Sequence, residues 1–179
     1  MQDIESKLLS IWDRVNDWLK FAEAKNVGIL VFSGSTIAAL LSFLGSSRKI
    51  HLEWRIGIYT GIAFLSIACL MAIWSFIPKT KIIFKNFGQP SDTDNLYFYG
   101  HLCKYNPQQL VETISRLYYD NDPQAVTRKN KDIAAQIVIN SCIAMEKYQI
   151  FKIAAWIVLI GLLSIVIVPG IIMVYKGGC

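Results

Sequence analysis

Charge is what this sequence has least of. Only 17% of its 179 residues are charged while 54% are hydrophobic, a balance too apolar for a water-soluble domain of this length. Neither GxGxxG nor a P-loop pattern occurs, which argues against ATP-driven work. The four cysteines, Cys69, Cys103, Cys142 and Cys179, include no CxxC pair, so neither a zinc knuckle nor a disulfide framework is expected. Asp, Glu, Lys, Arg and His are all missing from three long segments, Val27 to Leu44, Ile56 to Ile77 and Ile153 to Tyr175. An acidic residue or histidine inside a span is the usual mark of proton-coupled transport, so a pump or antiporter loses support.

Those three segments are each long enough to cross about 30 Å of hydrocarbon. The first follows a stretch of mixed charge with no small-residue cleavage site, so it reads as a retained span and not a signal peptide. Lys and Arg number four before the first span and three in the short loop, ten in the long loop and one in the tail. An N-terminus on the inner side places 14 of these basic residues inside and four outside, as the positive-inside rule requires. The expected division is a cytoplasmic amphipathic helix over 1–26, spans at 27–44, 56–77 and 153–175, and a cytoplasmic helical region over 78–152. The fold class is thus an all-α integral membrane protein, with a helical insertion between spans two and three and its C-terminus outside. Trp54 and Tyr175 fall at outer ends, and Trp74, Tyr148 and Trp156 near inner ones, where such rings favour the headgroup level.

Before the first span, Ile4, Leu8, Ile11, Val15, Trp18 and Ala22 recur at alternating spacings of four and three, an amphipathic helix with a short coiled-coil-like seam. No glycine or proline interrupts residues 3 to 27, so one helix of roughly 40 residues should run straight into the span. Its seam must bury against another chain, the second cytoplasmic helix or the membrane surface. Gly57 and Gly61 form a GxxxG pair that allows close helix packing, within or between chains. Pro169-Gly170 predicts a kink or early stop in the third span.

In the long loop, Lys79, Lys81 and Lys85 precede a Gly88/Pro90/Asp92 turn region. Asn106-Pro107 and Asp122-Pro123 each combine an N-cap residue with a proline at the first helical position. They predict helices over about 107–119 and from 123 onward into span three. Gln136, Asn140 and Lys147 share one polar sector of that second helix, with Ile133, Ile137 and Ala144 on the packing side. Two such helices cannot enclose a core alone, so they should pack on the N-terminal helix or on partner chains, and a homo-oligomer is expected.

The stretch DNLYFYGHLCKYNPQQL, residues 94–110, sets a histidine and a cysteine two positions apart. His101 and Cys103 have no second ligand pair at useful spacing, and Cys142 stands apart in the sequence, so a metal is not expected. Nothing nearby reads as an orienting group or an oxyanion hole, and no enzyme is expected. What the residues leave open is binding of a small anion. Arg128, Lys129 and Lys131 sit near the positive end of a helix, while Tyr97 and Tyr99 could stack a base. Against this, the three cations can be a solvated face and the aromatics a hydrophobic plug.

The run NLYFYGHL, a proline-led helix, and then QIxxNxxIAxxKY entering the last span resemble the Pycsar transmembrane effector family. FAEAKNVGIL, which contains Glu23 and Lys25, looks like that family's acid-x-Lys motif. The resemblance covers about Phe21 to the end of span three, and Gln136, Asn140, Lys147 and Tyr148 fit it best. It implies an antiviral defence effector of the bacterial inner membrane, without a cofactor or metal. The signal would be a cyclic nucleotide, expected to be a cyclic pyrimidine mononucleotide, made by a partner nucleotide cyclase. The response would be loss of membrane integrity and abortive infection. On this reading Tyr97, Tyr99, Arg128, Lys129 and Lys131 bind the nucleotide, and Glu23, Lys25, Gln136, Asn140, Lys147 and Tyr148 couple it to the membrane lipid. A different class stays open: a constitutive membrane scaffold or small-channel subunit gated by a protein partner.

Overall fold

A computed structural model describes residues 3–46, 49–77, 88–122 and 125–177. Lys79, Lys81, Lys85, Pro123 and Cys179 lie outside the described residues. Five helices make up the fold: α1 (Ile4–Gly45), α2 (Leu52–Phe76), α3 (Tyr99–Leu102), α4 (Pro107–Tyr118) and α5 (Arg128–Gly177). Among the described residues there is no strand. Two compact units divide the chain, one of Met1–Ala22 with Pro78–Tyr148, the other of Glu23–Ile77 with Gln149–Cys179. α1 and α5 contribute residues to both units without a break in either helix.

The first unit closes a core around the N-terminal seam. Leu8, Ile11 and Val15 are wholly buried, packed with Leu96, Leu102, Leu110, Ile114, Ile137 and Val138 among others. Each such side chain contributes roughly 1.5–3 kcal/mol relative to exposure. Of the three fates open to the seam, burial inside its own chain is the one observed. Asn106 caps α4 as its sequence position predicts: its side chain accepts the Gln109 N–H at 2.8 Å, and the Gln109 side chain accepts the Asn106 N–H at 3.2 Å. Past Tyr118 the chain reverses through Asp120 and Asn121, both with positive φ, a conformation these two residue types tolerate.

α5 begins five residues later than the Asp122-Pro123 signal suggested. Thr127 is its cap, with the hydroxyl oxygen accepting the Asn130 N–H at 3.1 Å. The Asn130 amide in turn donates to the Ala125 carbonyl at 2.7 Å. A buried asparagine tied to the preceding turn holds residues 125–127 out of the helix.

Within this unit α1 and α5 run side by side in the same direction. Asn140 donates to the Asn16 side chain at 2.8 Å across 124 positions, and Lys129 pairs with Glu5 at 2.6 Å across the same separation. A constant offset is what two parallel helices in register produce.

In the second unit α2 presents Gly57, Gly61, Leu65, Ala68, Ala72 and Ser75 inward, a narrow stripe at spacings of three and four. The buried cluster is thin, Leu65, Ala68 and Val158 with Ile29, Ile37, Leu40, Ile157 and Leu162 against it. Only 11%, 33% and 17% of the most apolar windows of α1, α2 and α5 is covered by protein. Lipid must cover the rest, and the protein is an all-α membrane protein with three spanning helices. The GxxxG pair is used inside the chain. A Cβ on Gly57 would stand 2.7 Å from the Pro169 ring and 2.9 Å from the Ile165 carbonyl, and one on Gly61 would stand 2.5 Å from Ile165 Cγ1. α5 does not stop at Pro169 but continues to Gly177. With no N–H to give, Pro169 leaves the Ile165 carbonyl without its usual helical donor, and that carbonyl faces Gly57.

Candidate functional site

Beside the seam of α1 lies a second stripe, Glu5, Trp12 and Asn16, and it meets the stripe of Lys129, Ile133, Gln136 and Asn140 on α5. Between them opens a groove of about 540 Å³ lined by Trp12, Arg128, Lys129, Asp132, Ile133 and Gln136, a size within the range of small-molecule sites. Arg128 and Lys129 occupy the first turn of α5, where unsatisfied backbone N–H groups and the helix dipole favour an anion. Trp12 supplies the apolar wall. Its indole N–H is buried without an acceptor among the described residues.

The sequence-derived candidates are distributed unevenly around this groove. Arg128, Lys129 and Gln136 line it; Lys131 is half-buried and does not. Tyr97 lies elsewhere, its ring 4.8 Å from the Lys7 ammonium, which also sits 4.5 Å from the Tyr118 ring. The hydrogen bond with Tyr97 outweighs burial and holds the Lys7 ammonium above its ordinary pKa. Tyr99 is stacked face to face on Tyr148, with ring centroids 4.9 Å apart and planes 11° apart. Trp18 closes the same cluster at 5.5 Å from Tyr99. Burial pushes the phenols of Tyr99 and Tyr148 upward, as a packed aromatic cluster requires.

Of the coupling candidates, Asn140 ties α5 to α1 through Asn16. Lys147 and Tyr148 close the first unit along α5. Glu23 and Lys25 are half-buried on α1 in the second unit, where the Lys25 ammonium lies 5.1 Å from the Phe151 ring.

The 94–110 stretch is held by a polar network of its own. Asp94, whose side chain is 4% exposed, accepts from Lys104 at 2.6 Å and from the Ser91 N–H at 2.9 Å. Burial works to raise this carboxyl, but those two bonds outweigh it and hold it below the usual range. His101 Nδ1 accepts the Asn95 N–H at 2.8 Å and so serves as a local cap. Cys142, isolated in sequence, is brought against Cys103 because α3 folds onto α5. Its thiol lies 3.7 Å from the Cys103 carbonyl, and the contact between the two thiols lowers Cys103 and raises Cys142. Among the described residues no three His, Cys, Asp or Glu side chains gather in a metal-binding arrangement.

Glu5, Trp12 and Asn16 carry no motif of their own in the sequence. They repeat at seven and four, which is helical spacing on the flank of the seam, and that was their available signal.

The model of the PycTM family, the Pycsar effector protein domain, matches residues 7–174. Pycsar effector protein RsPycTM of a Rhizobium species is 26% identical over 160 residues, which span 89% of this chain and 90% of that protein. No solved structure matches. With its three spanning helices and a match over nearly its whole length, the chain belongs to the Pycsar effector family, whose members are effectors of antiphage defence.

Proposed function

We propose that this effector senses a cyclic nucleotide second messenger, made by a partner nucleotide cyclase, and answers by permeabilising the bacterial inner membrane. The infected cell then dies or stalls before phage release. The protein performs no catalysis in this scheme and needs no cofactor. Its N-terminus and first unit face the cytoplasm, in keeping with the 14 basic residues on that side.

The observation that carries this reading is the continuity of α1 and α5. They are parallel neighbours in the first unit, and each runs unbroken into a spanning segment. A ligand that alters how they pack against each other acts on the spans through the helices themselves. It does so only as far as it binds one packing better than the other. Moving the population from 1:99 to 99:1 takes about a 10⁴-fold difference in affinity. Among the described residues the buried core of the spanning unit is only Leu65, Ala68 and Val158 with the side chains against them, which supports several copies acting together. The membrane lipid is the second partner.

The test is dye release from proteoliposomes holding the full chain, titrated with cyclic mononucleotides and with cyclic di- and oligonucleotides. Release dependent on a cyclic pyrimidine mononucleotide is expected. Indifference to every nucleotide, with release on adding a protein partner, would replace this reading with a partner-gated channel subunit or scaffold.

A further inference from the structure

We propose that the groove between α1 and α5 is the nucleotide site, with the base on Trp12 and the phosphate at Arg128 and Lys129, and that Glu5 is its built-in competitor. This rests on the nucleotide-sensing reading above and assigns it a place. The groove combines what a nucleotide needs within one contiguous surface: an aromatic wall for a base, two cations at a helix N-terminus for a phosphate, and the Gln136 amide and Asp132 carboxylate for polar edges. The Trp12 ring is half-buried and lines the groove beside Ile133, so its apolar surface is what it offers a base.

The alternatives on the first unit are already filled. Tyr99 has its face covered by Tyr148, and Tyr97 is engaged by Lys7. A second cleft of about 540 Å³ is lined by Ser91, Asp92, Tyr105 and Arg116 among others. There Arg116 is gripped by both oxygens of Asp92, and the Tyr105 hydroxyl donates to the Ser91 carbonyl. Its guanidinium and its phenol are thus engaged within the protein, and Tyr105 is buried, so it presents no aromatic face.

Glu5 gives the groove its resting state. Its carboxylate reaches Lys129 at 2.6 Å, so an anion already stands where a phosphate would. Lys129 keeps 68% of its side chain exposed, and an exposed pair of this kind is weak enough for a phosphate to displace. Displacement breaks that tie between the first turn of α1 and α5. The ligand then bridges the same two helices through different contacts, which is the change in packing that sensing requires.

Calorimetric titration of the full chain with cyclic UMP, cyclic CMP and cyclic AMP tests this, with melting temperature as the control for folding. Arg128→Gln is expected to weaken binding by about tenfold or more, and Trp12→Leu by roughly fivefold or more. Trp12→Phe, which keeps a ring, should recover most of that loss. Glu5→Gln is expected to tighten binding roughly two- to fivefold and to shift dye release to lower nucleotide concentration. Wild-type affinity in Arg128→Gln and Trp12→Leu, or unchanged or weaker binding in Glu5→Gln, would overturn the assignment while leaving the sensing reading intact. Failure of the wild-type protein to bind these three or any cyclic di- or oligonucleotide would remove both.

Discussion

Gly57→Ala is the most discriminating substitution in the spanning unit. The new methyl group would stand 2.7 Å from the Pro169 ring and 2.9 Å from the Ile165 carbonyl. A proline ring and a backbone oxygen cannot rotate away, so α2 and α5 must move apart. Overpacking of this kind costs about 1–3 kcal/mol, offset by about 0.5–1 kcal/mol from replacing glycine inside a helix. A net loss of roughly 1–2 kcal/mol corresponds to a melting temperature lower by about 2–8 °C for a chain of this size. Gly34→Ala is the matched control: nothing lies within 4 Å of its Cβ position, so only the gain in propensity remains and the melting temperature should hold or rise. At Gly61 the clash is instead with Ile165 Cγ1 at 2.5 Å, an atom that Ile165→Ala removes. Gly61→Ala should therefore cost less in the Ile165→Ala background, with a coupling of about 1 kcal/mol. Circular dichroism melts in detergent provide the readout. Shifts of the same sign in Gly57→Ala and Gly34→Ala, or zero coupling between positions 61 and 165, would refute the packing.

Other positions give independent checks. Asn106→Ala removes the side-chain half of the α4 capping box, the bond from the Gln109 N–H, and should cost about 1 kcal/mol, with Asn106→Asp retaining most of the capping; amide exchange in the first turn of α4 is the local readout. Because Asp94 titrates below its ordinary value when folded, its stabilisation is complete above about pH 3.9 and is lost as pH falls through the folded pKa. Acid unfolding below about pH 4 should be less steep in Asp94→Asn, and an unchanged acid limb would count against the Lys104 and Ser91 contacts. Asn140→Leu strands the Asn16 carbonyl and should cost about 1–3 kcal/mol, whereas the double variant Asn16→Leu/Asn140→Leu should regain part of the loss, as read by chemical denaturation.

What could be read without coordinates was local. Heptad-like spacing announced that one face of α1 is buried, and Asn106-Pro107 announced where α4 begins. Both signals are complete within a few residues. The partner of the seam was undetermined, because periodicity says that a face is covered and not by what. The meeting of Cys103 with Cys142 and the parallel register of α1 with α5 depend on contacts more than 35 and 120 positions away. The start of α5 was misplaced for a related reason: the Asp122-Pro123 signal was outweighed by Thr127 and by the buried Asn130, whose partner Ala125 lies outside the helix. Among site candidates, charge at the head of α5 was visible, whereas the aromatic wall was sought in the tyrosine-rich stretch. Tyr99 there is packed on Tyr148, and the ring that lines the groove is Trp12.

Pro169 bears on what it costs to part α2 from α5. The Ile165 carbonyl has lost its helical donor and lies against Gly57, whose lack of a side chain permits the close approach. In hydrocarbon an exposed acceptor costs several kcal/mol, so α2 cannot leave α5 and meet lipid at that point without penalty. Any state that parts the two helices must wet the gap or bring another donor to it. Parting α2 from α5 is therefore tied to hydrating or re-pairing that one carbonyl.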